Sequence, residues 1–260
     1  MRKPLIAFTL VGLFVIIILP LFLAKIQKAK VTPKEGFRGI RVLMPSGKIE
    51  TLDLEEYLVG VLSAEMPAQF ELEALKAQAV AARTYAVRKL VQSGTLGTNY
   101  DVDTTERTQA WQSEADMRKR WGLLRYIANK SRIEKAVKET KGLVLAYEGT
   151  YVQALYFSSA GRLPTERSEE VWGAPLPYLT NIEPEEGELG KFVVRSSFAF
   201  RELDSKLGTD LAKKAKVNQA DIKIVERTAA GRAKTVKIGN QLFPATQVRV
   251  QLNLKSTDFT

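Results

Sequence analysis

Two helical segments separated by a proline place the strongest constraint on how this chain folds. The first, LEEYLVGVLSAEM, follows Asp53, whose carboxylate suits a helix N-cap because it accepts hydrogen bonds from first-turn amides. Pro67 ends this helix, since the residue before a proline is pushed out of the helical region. The second helix is predicted from about Glu71 to Ser93, and Gly94 suits its C-terminal cap. We therefore predict an α+β domain with a central helix pair packed on antiparallel strands.

Strands and long loops surround the predicted helix pair. Alternation of side-chain polarity predicts a strand at 39–44. The segment 143–160 predicts two strands joined at Glu148-Gly149. Two long loops are predicted at 95–112 and 161–190. Loops of this length in a compact domain more often have a function than serve only as connections. The further predicted elements are short helices at 133–140 and 202–208 and strands at 192–200, 222–228, 233–239 and 248–254.

The N-terminal residues predict a membrane anchor. Residues 5–24, LIAFTLVGLFVIIILPLFLA, carry no charge, and about 20 apolar residues match the thickness of a bilayer core. The alternative is a cleaved signal peptide, which would have a shorter apolar stretch and a small-residue cleavage motif. We expect a cytoplasmic N-terminus at 1–4, one transmembrane helix at 5–24, a juxtamembrane linker at 25–38 and one extracytoplasmic domain at 39–260.

Composition removes several kinds of chemistry. The 260 residues contain neither cysteine nor histidine, which excludes disulfides, thiolate or imidazole metal sites and a Ser-His triad. Acid–base chemistry therefore falls to Asp, Glu, Lys or Tyr. The net charge of +10 favours a polyanion, such as nucleic acid, anionic lipid or an anionic cell-wall polymer. We expect no nucleic-acid partner, because no readout motif is present.

Three charged residues near the proline are candidates for a site. Glu65 ends the first helix, where the negative end of the helix dipole and partial burial would raise the pKa of a carboxyl and let it act as a general acid. The alternative is an ordinary exposed glutamate. Lys76 and Arg83, seven residues apart, share one face of the alanine-rich second helix. They either pair with structural carboxylates such as Glu65 or Glu71, or bind an anionic ligand.

Three segments resemble a known family. YLVGVLSAEMPAQFELEALKAQAVAARTYAV at 57–87, GLVLAYEGTYVQALYFSSAGRLPTERSEEVWGAPLPYL at 142–179 and LNLKSTDFT at 252–260 are similar to the stage II sporulation protein D family, whose wider group includes amidase enhancers. The resemblance implies a lytic transglycosylase of peptidoglycan. Such enzymes act at the septum during forespore engulfment, on glycan strands whose stem peptides an amidase has removed. The implied partners are an amidase-endopeptidase and a polytopic membrane protein.

The resemblance also implies roles for individual residues. The family's catalytic glutamate falls on Glu65, its supporting cations fall on Lys76 and Arg83, and a functional tyrosine falls on Tyr178. A serine pair of the family pattern matches Ser158 and Ser159, which we expect to satisfy the loop backbone rather than act as nucleophiles. The site residues implied to bind substrate are Lys76, Arg83, Tyr178, Ser158, Ser159 and Trp172.

The lytic transglycosylase reaction requires only one catalytic carboxylate, which is consistent with Glu65 as the single candidate. In a lytic transglycosylase the C6 hydroxyl of N-acetylmuramic acid (MurNAc) attacks its own C1, so a single glutamate serves first as acid and then as base. Lys76 and Arg83 would hold the lactyl carboxylate of peptide-free MurNAc. Trp172 and Tyr178 would stack on or hydrogen-bond to sugar rings, with ordinary packing as the equal alternative.

The sequence departs from the family pattern in two places. Some members carry a His/Cys metal site in the loop after the long helix, whereas residues 99–109 contain neither type, so we expect no zinc and no cofactor. The family pattern also continues past LKSTDFT into a glycine-rich segment, whereas this sequence ends at Thr260. We therefore expect a C-terminally incomplete catalytic domain.

Two alternative functions stay open. One is a non-catalytic module that binds glycan and recruits or stimulates a cell-wall amidase, for which replacing Glu65 by Gln would leave function intact. The other is a glycan hydrolase, which would release reducing ends and need a second carboxylate, with Glu169 or Glu170 as candidates.

Overall fold

The computed structural model describes residues 39–157, 159, 161–184, 193–211 and 222–260. The chain divides after Tyr156 into two compact units, where the sequence predicted one domain over 39–260. Each unit has its own hydrophobic core and combines helices with strands. The α+β class is therefore confirmed.

The predicted transmembrane helix is not supported. Within the described residues, no helix is both long enough and apolar enough to cross a membrane. Residues 5–24, which were expected to form the anchor, lie outside the described residues, as do the flanking segments 1–4 and 25–38. The predicted architecture is corrected accordingly, and the supported part is the α+β fold itself.

The first unit opens with a β-hairpin. β1 (Gly39–Leu43) pairs antiparallel with β2 (Ile49–Asp53), and the short β3 (Val102–Asp103) pairs parallel with the other edge of β1. The sheet is thus mixed rather than purely antiparallel as predicted. Ile40 and Val42 of β1 are fully buried while their neighbours are part-exposed, as a sheet with one face on a core requires.

Two helices follow close to their predicted bounds, but the cap of the second is Gly97 and not the predicted Gly94. α1 (Leu54–Glu65) begins after Asp53, whose side chain accepts hydrogen bonds from the amides of the first turn. α2 (Leu72–Leu96) is slightly longer than expected and ends at Gly97, whose φ of 66° suits a glycine cap. Met66, between the helices and next to Pro67, is extended at φ −137° and ψ 139°, because proline disfavours the helical region for the residue before it.

A third helix completes the core, so the predicted central pair is wrong. α3 (Glu114–Glu139) packs on both α1 and α2. Only its last part, from Ile133, was predicted, because the preceding residues are strongly charged and show little apolar periodicity. Ser113 and Asp116 form a reciprocal capping box that begins the helix. Gly122, at φ 70° and ψ 164°, interrupts the helical geometry within it.

The first unit closes with a short hairpin that was predicted from the sequence. β4 (Ala146–Tyr147) and β5 (Thr150–Tyr151) pair antiparallel. Glu148 and Gly149 join them with φ values of 48° and 76°. Positive φ at both central residues defines the turn type whose twist matches a two-residue hairpin.

The second unit is a three-stranded antiparallel sheet with helices. Its core consists of leucines, valines, Ile238 and Phe243, and the predicted helix and two of the four predicted strands are confirmed. Its elements in chain order are α4 (Ser168–Trp172), α5 (Phe200–Leu207), β6 (Ile222–Arg227), β7 (Ala233–Ile238), β8 (Gln241–Pro244) and α6 (Ala245–Gln251).

Two strands predicted in the second unit are wrong. Residues 193–199 contain no strand, and most of the segment predicted as a strand at 248–254 belongs to α6. There, Val248 and Leu252 are buried while Val250 is 72% exposed. Residues four apart lie on one face of a helix and also on one face of a strand, so alternation over so short a segment did not distinguish the two.

The segment between α2 and α3 is docked on α1 at a glycine. The Trp111 indole lies against Gly60, where an added Cβ would be 2.1 Å from Nε1 of the indole. The amide of Gln112 also donates a 3.2 Å hydrogen bond to the Gly60 carbonyl. A side chain at position 60 would therefore displace the indole and the segment that carries it.

We predict that Gly60→Ala destabilises the first unit by about 1–3 kcal/mol, because a packed core accommodates an extra methyl group poorly. Gly94→Ala is the matched control. Gly94 lies in α2 with nothing within 4 Å of an added Cβ, so alanine there should be neutral or stabilising by up to about 1 kcal/mol. Urea unfolding followed by circular dichroism measures both. Equal effects of the two substitutions would contradict the docking of Trp111 on Gly60.

Candidate functional site

Glu65 is the last residue of α1 and its side chain is exposed at the surface. The backbone N–H of Ala110 donates a 3.0 Å hydrogen bond to Oε1 of this carboxylate. Partial loss of hydration raises the pKa of Glu65, the Ala110 N–H lowers it, and the negative charge of Glu106 raises it. The net pKa is above the ordinary glutamate value, so a larger fraction of this side chain is protonated near neutral pH.

Two arginines of α3 fix the direction in which α1 ends. Arg120 Nη1 donates to the Ser63 carbonyl at 3.1 Å, which satisfies a carbonyl in the last turn of α1. Arg132 donates to the carbonyls of Ala68 and Phe70 at 3.0 and 2.9 Å, in the segment that links α1 to α2. The end of α1, and with it Glu65, is therefore held by the third helix, which the sequence analysis did not predict in full.

A buried polar cluster lies beside Glu65. Gln109 is 1% exposed; its Oε1 accepts a 3.2 Å hydrogen bond from the Tyr57 hydroxyl, and its Nε2 donates to the Tyr156 hydroxyl oxygen at 3.0 Å and to the Ala82 carbonyl at 3.3 Å. Burial, with a contribution from the Glu65 charge, raises the pKa of both tyrosines well above its usual range. Both phenols are therefore neutral at physiological pH.

The sequence analysis missed Gln109 and Tyr156. Gln109 is a single polar residue in a predicted loop and Tyr156 is a single aromatic residue in a predicted strand, and the distances along the chain to their partners are 27 to 52 positions. The only sequence signal for a functional role of this region was the predicted loop at 95–112, which contains Gln109.

Arg83 does not bind substrate in this geometry, which corrects its predicted role. Its side chain is fully buried and forms a two-point ion pair with Glu55, at 2.7 and 3.0 Å. The remaining guanidinium donors bind the carbonyls of Val137 and Leu143 and the hydroxyl of Thr140, at 3.1–3.4 Å. A fully engaged guanidinium has no donor left for a glycan, so the structural alternative holds, with Glu55 as the carboxylate.

Lys76 lies on the same helix face as Arg83, as predicted, and is also paired. Its Nζ lies 2.8 Å from Glu73 and 2.7 Å from Glu139 of α3. The Lys76 side chain is 23% exposed, so a role in binding an anionic sugar stays a prediction that would require this network to rearrange.

The other predicted substrate-binding residues belong to the second unit. Trp172 ends α4, and Tyr178 lies partly buried in the loop that follows. Ser159 is exposed, and its hydroxyl accepts a hydrogen bond from the Gly161 amide, in keeping with a loop residue that satisfies the backbone. Ser158 lies outside the described residues. The roles predicted for these four residues stay predictions.

Two aspartates of the loop after α2 are engaged within the protein. Asp101 accepts hydrogen bonds from Arg41 and Ser93, and Asp103 accepts from Thr105 and Thr108. Among the described residues there is no group of three or more side chains suited to hold a metal ion. The expectation of no metal stays a prediction.

Comparison with known proteins gives the family. A family model described as Stage II sporulation protein matches residues 45–147. A stage II sporulation protein D of Bacillus amyloliquefaciens is 35% identical over 240 residues, which cover 89% of this chain and 67% of that protein. The Bacillus subtilis protein of the same name is 32% identical over 247 residues, covering 90% of this chain and 70% of that protein.

A third relative has another name. An amidase enhancer of Bacillus subtilis is 42% identical over 122 residues, which cover 47% of this chain and 14% of that protein. The family model and the two sporulation proteins define a sporulation-associated class of protein, and the residues that the model matches include α1, α2 and the loop that binds Glu65. The chain belongs to the stage II sporulation protein D family.

We predict that Arg83→Met destabilises the first unit by about 3 kcal/mol, because it leaves Glu55 and two carbonyls without their partner. Lys76→Met is the matched control on the same helix face, and loss of its partly exposed ion pairs should cost less than about 1 kcal/mol. Urea unfolding measures both variants. An Arg83→Met protein that is as stable as the parent but no longer binds glycan would restore the substrate-binding role.

Proposed function

We propose that this protein is a lytic transglycosylase that cleaves MurNAc–GlcNAc bonds in peptide-free peptidoglycan strands, with Glu65 as its acid and base. One observation carries the proposal. Glu65 is a solvent-accessible carboxyl with a raised pKa, held by the Ala110 amide at the end of a buried helix. Such a carboxyl can be protonated before the reaction and still reach a bound polymer.

The first step uses the protonated form of Glu65. The carboxyl donates its proton to the glycosidic oxygen, and the bond between that oxygen and C1 of MurNAc breaks, leaving positive charge on the C1–ring-oxygen unit. The carboxylate of Glu65 then accepts the proton of the MurNAc C6 hydroxyl as its oxygen attacks C1. The product is a 1,6-anhydro sugar; no water is consumed, and Glu65 regains its proton.

The carboxylates proposed for a hydrolytic mechanism are paired with cations. Glu169 Oε1 lies 2.5 Å from Arg167 Nε, and its pKa is lowered chiefly by a hydrogen bond from its own backbone amide, with Arg167 contributing. Glu170 Oε2 lies 3.6 Å from Lys234 Nζ. The lowered pKa makes Glu169 a weaker base and the contact with Lys234 engages Glu170, which favours a mechanism with one carboxylate over hydrolysis.

The biological setting is part of the same proposal. Family membership supports a role in sporulation, and the net charge of +10 suits an anionic polymer. We propose that the protein acts on the extracytoplasmic side during forespore engulfment. There it would follow an amidase-endopeptidase that removes stem peptides, alongside a polytopic membrane protein.

The relative named amidase enhancer supports a second candidate function. In this alternative the first unit binds glycan and recruits or stimulates a cell-wall amidase without cleaving any bond. Glu65 would then contribute at most to binding, and its replacement by glutamine would leave the stimulation of an amidase intact.

Product analysis separates these candidates. We expect the full chain, incubated with peptide-free glycan strands, to release fragments with 1,6-anhydro ends, which mass spectrometry identifies by the loss of one water relative to hydrolysis products. Glu65→Gln should abolish them. Glu71→Gln is the matched control, because Glu71 is exposed and its side chain makes no cap hydrogen bond. Its products should match those of the parent.

The stability of Glu65→Gln tests whether lost activity reflects lost chemistry. A carboxyl with a raised pKa in the folded state stabilises the fold less as pH rises through that pKa. The neutral amide removes this cost, so the variant should unfold at or above the midpoint of the parent at pH 7. Reducing-end products would contradict the transglycosylase mechanism, and full activity of the variant would exclude Glu65 as the acid.

Glu106 gives a pH-dependent test of the same carboxyl. Because its negative charge raises the pKa of Glu65, Glu106→Gln should lower that pKa and move the alkaline decline of kcat/KM to lower pH. Glu50→Gln, on an exposed edge of β2, should leave the profile unchanged. An identical shift in both variants would indicate an effect of net charge rather than of the neighbouring residue.

A further inference from the structure

The hydrogen bonds of Gln109 determine where the proton of the Tyr156 hydroxyl points. The Ala82 carbonyl can only accept, so the atom of the Gln109 side chain that faces it at 3.3 Å is the amide nitrogen. That same nitrogen is 3.0 Å from the Tyr156 hydroxyl oxygen, which therefore accepts a hydrogen bond from it. A neutral phenol has a single proton, and the proton of Tyr156 is left to be donated away from Gln109.

The same turn of the chain brings Tyr156 and Glu65 together. The side chain of Gln109 binds Tyr156, and the backbone N–H of the next residue, Ala110, binds the Glu65 carboxylate. The negative charge of Glu65 contributes to the raised pKa of Tyr156, which is consistent with their proximity. Tyr156 is partly exposed, whereas Tyr57, on the other side of Gln109, is fully buried.

We propose that Tyr156 contacts the substrate, donating a hydrogen bond from its hydroxyl to an oxygen of the amino sugar bound at Glu65, and that Gln109 is the positioning residue that aims this proton. The inference rests on the proposed function and deepens it. A neutral phenol cannot replace Glu65 as a base, so its contribution is to hold the sugar in position. Hydroxyl and acetamido oxygens are the acceptors that a glycan offers.

Binding to a catalytically silent protein tests this inference. In a Glu65→Gln background, Tyr156→Phe removes one oxygen and keeps the ring. We expect it to weaken the binding of peptide-free glycan strands about 3- to 10-fold, the effect of one neutral hydrogen bond. Isothermal titration calorimetry provides the affinity, and circular dichroism confirms that each variant is folded.

Tyr57→Phe in the same background is the matched control. It removes the same atom from a tyrosine bound to the same glutamine, but on the buried side of that glutamine. It should lower stability and leave glycan affinity unchanged. Equal losses of affinity for Tyr57→Phe and Tyr156→Phe would show a packing effect and overturn the inference.

The role of Gln109 is tested by a double-mutant cycle. Gln109→Met removes the donor that orients Tyr156, so it should weaken glycan binding when the tyrosine is present. It should add little further loss when Tyr156→Phe is already in place. Two independent, additive losses would overturn the positioning role of Gln109.

The outcomes for this inference and for the proposed function are distinct. If the Tyr156→Phe variant binds glycan as tightly as the Glu65→Gln parent, the inference fails whether or not the wild type releases anhydro products. If affinity falls as expected but the wild type releases no such products, the catalytic proposal fails and Tyr156 remains a glycan contact. If the Glu65→Gln parent does not bind glycan, the inference fails, and the catalytic proposal fails with it only if the wild type also releases no anhydro products.

Discussion

The guanidinium of Arg83 places a full positive charge inside the first unit with none of its side-chain surface exposed. A buried charge is tolerated only when its hydrogen-bonding groups are matched, and here Glu55 of α1 and acceptors at and beyond the end of α3 match them. A single side chain of α2 therefore connects three helices. This network fixes how α1 and α3 pack. It therefore also determines the position of the C-terminal end of α1 in the first unit, although it makes no contact with Glu65.

The remaining contacts transmit that arrangement to the carboxylate. Arg120 and Arg132 of α3 hold the end of α1 and the linking segment. The contact of Trp111 with Gly60 docks the segment between α2 and α3 on α1, so that the Ala110 amide faces Glu65. Each of these contacts is modest, but together they hold a partly dehydrated carboxyl whose pKa is above the ordinary glutamate value. Packed helices hold a side chain in position more exactly than a loop alone would.

Local rules predicted the parts of the fold that local physics determines. Asp53, Met66 and Pro67 define the boundaries of α1 through capping and proline sterics, and Glu148-Gly149 defines a hairpin turn, so each was predictable from a few residues. The spacing of Lys76 and Arg83 correctly placed them on one face of α2, but spacing does not reveal what that face meets. The partner of Arg83 is 28 positions away, and its role was therefore misassigned. The charged first half of α3 and the cluster around Gln109 depend on tertiary contacts that no local pattern reports.

The site also shows why a carboxyl with a raised pKa needs a strongly stabilised surrounding structure. Holding Glu65 in a place where ionisation is harder makes the folded state less stable at neutral pH than it would be with a neutral side chain. Glycine at position 60 also lowers the stability of the helix relative to alanine, but it leaves the space that the Trp111 indole occupies. The cost at Glu65 falls at the exposed C-terminal end of α1 and the cost at Gly60 falls in its buried middle, while the compensating ion pair of Glu55 and Arg83 lies at the start of the same helix. The pKa of Glu65 can therefore differ from the ordinary glutamate value without disturbing the ion pair on which the packing of the three helices depends.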